Sequence, residues 1–368
     1  MIFVGLDVHV RNTYFHATDE GGQRLAHGRC HNTAEQFTEL WKTLQNIARE
    51  GDEPPAAAYA VLESTTNSRA LRQLLQQAGQ AVGVTVAADV LDARKLRIIA
   101  ESVAKCDAVD ARILNELARA NLKLPTCYIP TDDEFALRER LRGRHDLVRL
   151  RTMLKNQAAA VLHRRAILKP HGGVWTSAGR QYLAQLELDA AGRELLDQYV
   201  TLADQLDTVI RQATQALQRV ARQPRWAKPA ALLQTMPGVG VITALTLLAE
   251  LGDLSRFKNR SAVSNYAGLT PIQRDSNQKH YRGGITHRGP SHLRAVLVEA
   301  AWMTLPRVPR YRAVFDRIAV KKNKLVAVVA VARRLLEDAW VMLRREEAFC
   351  FAPTPRADER TVVASVAG

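Results

Sequence analysis

Four carboxylates in the first third of the chain have the type and spacing of a divalent-metal site. Asp7 and Glu63 each follow a short apolar run of the kind that forms a buried strand. Asp107 and Asp110 are three residues apart, which places them on one face of a helix. Clustered carboxylates repel one another unless cations neutralise them, and oxygen ligands select hard cations, so Mg²⁺ or Mn²⁺ is expected. Two such ions about 4 Å apart activate a nucleophile and stabilise a leaving oxygen at phosphorus.

Structural roles for these carboxylates remain open at this point. An aspartate at a strand end, such as Asp7, is often a turn residue. Asp107 is a possible helix N-cap, with Asp110 complementing the helix dipole. The set of four on these elements favours metal ligation over separate structural roles.

Ser276 is a second candidate centre, because it is a hydroxyl in a stretch rich in glycine and positive charge that we predict to be a loop. A serine becomes a nucleophile only when its proton is removed and the developing charge is stabilised. Taken alone, a serine in such a loop is more often a phosphate contact or an exposed residue. Guanidinium groups bind phosphate oxygens bidentately. The basic residues nearby that we expect to contact nucleic acid are Arg274, Lys279, Arg282, Arg288 and Arg294.

The positive charge is concentrated in one part of the chain. The net charge is +15, yet residues 1–125 hold 14 basic and 15 acidic side chains, whereas residues 256–324 hold 15 basic and 3 acidic ones. Such an excess is the footprint of a polyanion partner. A basic surface without a partner is the alternative, which the clustering disfavours.

Composition excludes several other classes of protein. No run approaches the roughly 18 apolar residues of a membrane span, and the start lacks the basic region of a signal peptide. The four cysteines are scattered without a CxxC pair, which disfavours a zinc site or a disulfide framework. We expect a cytoplasmic, nucleoid-associated protein in a reducing compartment.

The elements of residues 1–125 follow the order β-β-β-α-β-α-β-α, which is that of an α/β RNase H-like (RuvC-like) domain. In that sheet the first and fourth strands are neighbours, so Asp7 and Glu63 are expected to converge. The predicted strands are residues 2–10, 13–18, 24–30, 57–62 and 81–88, and the predicted helices are residues 34–49, 68–78 and 107–120.

Residues 126–228 read as a helical coiled-coil domain with an arginine-rich face. Arg142 and Arg149 on this face are predicted nucleic-acid contacts, and a solvated spacer is the alternative. The apolar seam of the second arm is predicted at Leu195, Leu196, Tyr199, Leu202, Leu206, Ile210 and Leu217.

Residues 229–350 read as a mostly α-helical domain, followed by a disordered tail at 351–368. Pro237-Gly238-Val239-Gly240 lies between two predicted helices and resembles a helix-hairpin-helix element. Gly238 and Gly240 would let the backbone approach a phosphate. A tight helix-helix turn is the equal alternative.

Two blocks of motifs in this order resemble the insertion-sequence 110 family of DEDD transposases, also called bridge-RNA-guided recombinases. The N-terminal block comprises residues 5–7, 62–65 and 105–112; the C-terminal block comprises residues 236–240, 266–271, Ser276 and 289–294. The resemblance spans nearly the whole chain. It implies a RuvC-like domain, a coiled coil and a C-terminal transposase domain.

The resemblance also implies roles and partners. Asp7, Glu63, Asp107 and Asp110 would bind Mg²⁺, and Ser276 would form a phosphoserine link to DNA. The carboxylates of one subunit would face the serine of another, in a homodimer that pairs into a homotetramer. Double-stranded donor and target DNA would be the substrates, and a non-coding bridge RNA would specify both.

Two other functions remain open on the sequence. A RuvC-like, metal-dependent, structure-specific nuclease would need the four carboxylates but not Ser276. A non-catalytic nucleic-acid-binding protein would need neither centre.

Overall fold

The structure, a computed structural model, describes residues 1–49, 54–92, 106–120, 124–168, 173–276 and 279–351. For residues 273–276 and 279–282 this description covers the backbone alone. The tail predicted to be disordered lies, apart from Phe351, outside the described residues. The chain divides into two compact units, Met1–Ile129 and Pro130–Gly368.

The first unit is built on a mixed five-stranded sheet. Its strands are β1 (Ile2–Val8), β2 (Asn12–Thr18), β3 (Arg24–His31), β4 (Ala57–Glu63) and β5 (Thr85–Leu91), in the order β3-β2-β1-β4-β5. Strand β1 pairs antiparallel with β2 and parallel with β4. The predicted RNase H-like sheet, with its first and fourth strands adjacent, is confirmed.

Helices cover both faces of this sheet, as a parallel centre requires. Helices α1 (Ala34–Ile47) and α2 (Ser68–Ala81) pack on one face, and α3 (Asp107–Arg119) packs on the other. The predicted apolar face of α1 is confirmed; its buried residues are Phe37, Leu40, Trp41 and Leu44.

Two predicted strands differ by more than one residue from their bounds in the structure. Strand β5 begins at Thr85 instead of residue 81, because α2 runs on to Ala81 and the Val84 N–H closes the turn on the Gly79 carbonyl at 2.9 Å. Strand β1 ends at Val8 instead of residue 10, because the His9 N–H donates to the Asn12 carbonyl at 2.9 Å and turns the chain.

Gly5 in β1 lets α3 lie directly against the sheet. A Cβ at this position would stand 2.1 Å from the Ala111 carbonyl oxygen and 2.2 Å from the Asn115 nitrogen. The Asn115 side chain, in turn, donates to the Phe3 carbonyl at 2.8 Å and accepts from the Thr18 hydroxyl at 3.1 Å. Backbone contact and a buried amide therefore fix α3 against β1 and β2.

Two long antiparallel helices dominate the first part of the second unit. Helix α4 (Asp132–His163) packs along α6 (Ala190–Val220), with the short α5 (Ser177–Gln185) between them in sequence. The buried positions Leu196, Ala203, Ile210 and Leu217 repeat every seven residues, as predicted for a heptad seam. The prediction that Leu202 belongs to this seam is wrong. Leu202 is exposed, because the buried position seven residues after Leu196 is Ala203.

The rest of the second unit is mostly helical, as predicted. Its elements are α7 (Pro224–Gln234), α8 (Val241–Leu251), a 3₁₀ turn (Leu254–Arg256), α9 (Arg260–Tyr266), β6 (Pro271–Ser276), β7 (Lys279–Ile285), α10 (Ser291–Thr304), α11 (Pro309–Lys321) and α12 (Lys324–Arg345). The core lies around α12, whose buried face includes Val331, Leu335 and Trp340. No helix among the described residues is long and apolar enough to cross a membrane.

The prediction of a loop at Ser276 is wrong, because residues 271–276 and 279–285 pair as two antiparallel strands. Strand prediction depends on alternation of apolar and polar residues. The stretch from Gln273 to Lys279 contains no apolar residue, so this signal is absent.

Replacing Gly5 with alanine should loosen the first unit. Both backbone neighbours would have to move, and overpacking of this kind costs about 1–3 kcal/mol. Amide hydrogen exchange in β1 and α3 should become about tenfold to a hundredfold faster. Gly28→Ala is the matched control, since its Cβ would meet only the Phe15 ring at 3.4 Å. Equal protection in the two variants would contradict the close packing of α3.

Candidate metal centre and nucleic-acid interface

The structure brings the four predicted carboxylates of the first unit to one edge of the sheet. The parallel register pairs Leu6 with Leu62, so Asp7 and Glu63 follow at the same edge. Asp107 and Asp110 lie in the first turn of α3. Helix α3 begins at Asp107 after the N-cap residue Cys106, so Asp107 is not the N-cap that the structural alternative required.

Asp7 is the innermost of these carboxylates, with only 9% of the residue exposed. Burial raises the pKa of Asp7, His9 opposes this shift, and the negative charges of Asp107, Asp110 and Glu63 raise the pKa further. The folded unit therefore holds a carboxylate in a place that disfavours its negative charge. A cation at this edge would relieve that cost.

His9 belongs to this centre, although sequence reasoning missed it. Its Nε2 lies 3.4 Å from Asp7 Oδ2 and 3.3 Å from Asp107 Oδ2. Among the described residues, the ligand atoms of Asp7, His9 and Asp107 all lie within 4.8 Å of one another, and Glu63 and Asp110 are not part of that tight group. The signal in the sequence that could have identified His9 was its position two residues after the candidate ligand Asp7.

The donor set fits a divalent cation. Two carboxylates and an imidazole are close enough to share one ion, and two further carboxylates stand near enough to influence Asp7 electrostatically. Oxygen donors of this kind suit Mg²⁺ or Mn²⁺. The arrangement is therefore consistent with the predicted divalent metal.

Ser276 is the last residue of β6, and its backbone pairs with that of Lys279 at the end of the hairpin. Arg274 pairs with Tyr281, and Gln273 pairs with Arg282. The side chains of Ser276, Arg274, Lys279 and Arg282 lie outside the description. The role of Ser276 as the nucleophile and those of Arg274, Lys279 and Arg282 as nucleic-acid contacts therefore stay predictions.

Arg294 holds together the segments that precede β6 and follow β7. Its Nη1 donates to the carbonyls of Ala267, Arg288 and Gly289 at 3.1, 3.0 and 3.1 Å. Gly268 and Gly289 both have positive φ, and each packs its backbone against the other segment. Arg294, predicted to contact nucleic acid, thus has a structural role here, while Arg288 is exposed.

Arg149 and Arg142 lie on α4 along a basic groove within the second unit. The groove, of about 670 Å³, is lined by Arg149, His145 and the first turns of α8 and α10. An adjoining part is lined by Arg142 and Pro290. Arg149 is 75% exposed, whereas Arg142 is about half exposed and donates to the buried Glu250 at 3.0 Å. We call this feature the α4 groove.

Helices α8 and α10 both begin at the α4 groove without a side-chain cap. Their N-caps are Gly240 and Pro290, and neither first turn contains an acidic residue. Uncapped N–H groups and the helix dipole favour an anion at such a place. Gly240 is exposed, whereas Gly238 packs on α10, where a Cβ would meet Thr304 Oγ1 at 2.6 Å.

Comparisons with known proteins identify the family of this chain. The sequence model of the family described as "Transposase IS116/IS110/IS902 family" matches residues 230–315, and the DEDD transposase model of the IS110 group matches residues 4–166. The first match contains Ser276 and the second contains all four carboxylates. The chain belongs to the IS110/IS116/IS902 family of transposases, which are DNA strand-transfer enzymes with an N-terminal DEDD domain.

Individual relatives cover different shares of the chain. The transposase for insertion sequence element IS1328 from Yersinia enterocolitica is 25% identical over 94% of this chain and 98% of its own length. The Sinorhizobium fredii protein y4qE is 28% identical over 70% of this chain, and the match spans only 60% of y4qE. A pilin gene-inverting protein from Moraxella bovis is 30% identical over 39% of this chain and 45% of its own length.

Asp7→Asn should stabilise the metal-free protein at neutral pH. Because the pKa of Asp7 is raised on folding, its ionised form costs stability above that pKa, and the cost disappears as pH falls toward the unfolded value of 3.8. In EDTA at pH 7 the variant should therefore have the higher Tm, with a difference that shrinks toward pH 4. Added Mg²⁺ should raise the Tm of the wild type but not of the variant.

Glu39→Gln, which removes an exposed carboxylate from α1, is the control and should change neither response. A lower Tm for Asp7→Asn in EDTA at pH 7 would mean that the ion pair with His9 outweighs burial and repulsion.

Proposed function

We propose that this protein is an insertion-sequence transposase that cuts and exchanges DNA strands through a phosphoserine intermediate. The observation that carries the proposal is the convergence of Asp7, Glu63, Asp107 and Asp110 at one sheet edge, in a chain that also has Ser276 within the family match at residues 230–315. The carboxylates and the serine then form two halves of one catalytic centre.

In this scheme the Ser276 hydroxyl attacks the scissile phosphorus. A new P–O bond forms to the serine, the bond to the leaving strand breaks, and the proton of the serine ends on the leaving oxygen. Attack by the hydroxyl of a different strand reverses the step and regenerates Ser276. The phosphodiester bond energy is conserved, so no ATP is needed.

The carboxylates would hold Mg²⁺ or Mn²⁺, which supplies Lewis-acid stabilisation of the charge developing on phosphate oxygens. Asp7 and Asp107 are the primary candidates, since their oxygens belong to the tight group. Glu63 and Asp110 would complete the set or hold bound water. The protein's own contribution is to fix these oxygens on β1, β4 and α3 before DNA arrives.

The basic residues would hold the DNA backbone. Arg149, Arg142 and the uncapped starts of α8 and α10 face one groove, a pattern that suits successive phosphates. Gly240 would contribute backbone donors there, as expected for a helix-hairpin-helix element. Arg274, Lys279, Arg282 and Arg288 would contact phosphates close to Ser276.

Exchange between two DNA sites is favoured by one relative in particular. The Moraxella bovis relative is called a pilin gene-inverting protein, and inversion requires cutting and rejoining at two places. We extend this exchange between two sites to donor and target DNA, recognised with a bridge RNA.

The active unit would be a homodimer that pairs into a tetramer on DNA, with the RuvC-like domain of one subunit completing the serine site of another. The coiled coil would connect the RuvC-like domain of each subunit to its serine-containing domain. The protein would act in the cytoplasm, at the nucleoid.

A metal-dependent nuclease of RuvC type is the second candidate. It is favoured by one observation: the carboxylate centre is assembled within the first unit alone. Hydrolysis by water at this centre would need no serine.

Ser276→Ala should abolish strand exchange, with a loss on the order of 10³-fold or more, because the nucleophile is removed. The assay is exchange between donor and target DNA in the presence of element-derived RNA, together with detection of a denaturation-resistant protein–DNA adduct. Ser261→Ala, at an exposed serine on α9, is the control. Unchanged exchange would refute the nucleophile, and loss of exchange with retained metal-dependent nicking would favour the nuclease.

Arg149→Ala should weaken binding of duplex DNA about equally for all sequences and lower the salt slope of the binding constant by about 1. Fluorescence anisotropy at several salt concentrations measures both effects. Arg211→Ala removes an exposed arginine from α6 away from the α4 groove, and it should change neither. Equal effects of the two substitutions would mean that the α4 groove has no special part in DNA binding.

A further inference from the structure

We propose that His9 is a direct ligand of the divalent cation, so that the centre has mixed nitrogen and oxygen ligands and favours transition dications over Mg²⁺. This inference rests on the proposed metal centre and specifies its ligands and its metal. It concerns a residue that the four-carboxylate pattern leaves out.

The position of the imidazole is the first argument. His9 Nε2 faces both Asp7 and Asp107, at 3.4 and 3.3 Å from their Oδ2 atoms. Direct ligands of one ion lie about 2.1 Å from it and hence about 3 Å from each other. His9 Nε2 therefore already stands near the separation that a shared ion requires from both carboxylate oxygens, and the ligand atoms of all three residues lie within 4.8 Å of one another.

The backbone of His9 is held from three directions, which is the second argument. Its N–H donates to the Asn12 carbonyl at 2.9 Å, and its carbonyl accepts from Asn32 Nδ2 at 2.8 Å and from Asn67 Nδ2 at 3.3 Å. Its ring also packs edge-on against Tyr14, with centroids 6.2 Å apart. Ligands placed in advance by such contacts bind metal at a lower entropic cost.

The identity of the ligand atom gives the selectivity. Mg²⁺ strongly prefers oxygen and keeps its water, whereas neutral imidazole is a good donor to transition dications. Mn²⁺ accepts carboxylate oxygens as readily as Mg²⁺ does and tolerates a nitrogen beside them. The His9 side chain is half exposed, so it has room to adjust to an ion without a change in the core.

Pulsed electron paramagnetic resonance of the full-length protein with Mn²⁺ tests this directly. The wild type should show modulation from a directly bound ¹⁴N nucleus, and His9→Gln should lose it. The Mn²⁺ dissociation constant should rise on the order of tenfold to a hundredfold in the variant, while that of Mg²⁺, measured by competition, should change much less. His27→Gln, at an exposed histidine of β3, is the matched control.

Circular dichroism and hydrogen exchange would establish that both variants fold as the wild type does. Bound Mn²⁺ without nitrogen modulation in the wild type, or with equal modulation in His9→Gln, would overturn the role of His9 and leave a carboxylate-only centre. Absence of bound Mn²⁺ in the wild type, with Asp7→Asn identical to it, would overturn the proposed metal centre and this inference with it.

Discussion

The close contact between α3 and β1 at Gly5 is the constraint on which the candidate metal centre depends. Any side chain there would enter the backbone of α3 at Ala111 and Asn115. Because α3 lies so near, Asp107 reaches the end of the strand that carries Asp7. Parallel pairing of β1 with β4 then brings Glu63 to the same edge. A sheet and one helix thus concentrate negative charge, and burial, together with that charge, raises the pKa of Asp7.

In the second unit, some basic side chains hold elements of the fold together and others are exposed at the surface. The buried carboxylate of Glu250 accepts from Arg142, and Arg138 donates to the Ala249 carbonyl at 2.7 Å, which joins α4 to α8. Arg294 clasps the base of the β6–β7 hairpin. Arg149 and Arg288, by contrast, are exposed. A count of basic residues therefore overstates the surface offered to nucleic acid, and the uncapped helix starts at Gly240 and Pro290 are donors that such a count misses.

The sheet of the first unit was predictable because its strands and α1 bury regular apolar patterns. The convergence of Asp7 and Glu63 followed from strand order, and helical spacing placed Asp107 and Asp110 on one face. His9 was not predictable in this way, since its role depends on a turn after β1 and on contacts with Asn32 and Asn67. The hairpin of Ser276 was missed because its polar sequence lacks the alternation of apolar and polar residues. The structural role of Arg294 was missed because the three carbonyls to which it donates come together only in the folded chain.

The most direct test of the account is anomalous X-ray diffraction from crystals of the full-length protein containing Mn²⁺. The account predicts a peak about 2.1–2.3 Å from Asp7 and Asp107 oxygens and from His9 Nε2, with Glu63 and Asp110 close by. A peak should be absent in crystals of Asp7→Asn. A manganese peak elsewhere, or none in the wild type while these side chains keep their positions, would contradict the claim that contact between α3 and β1 builds a metal centre.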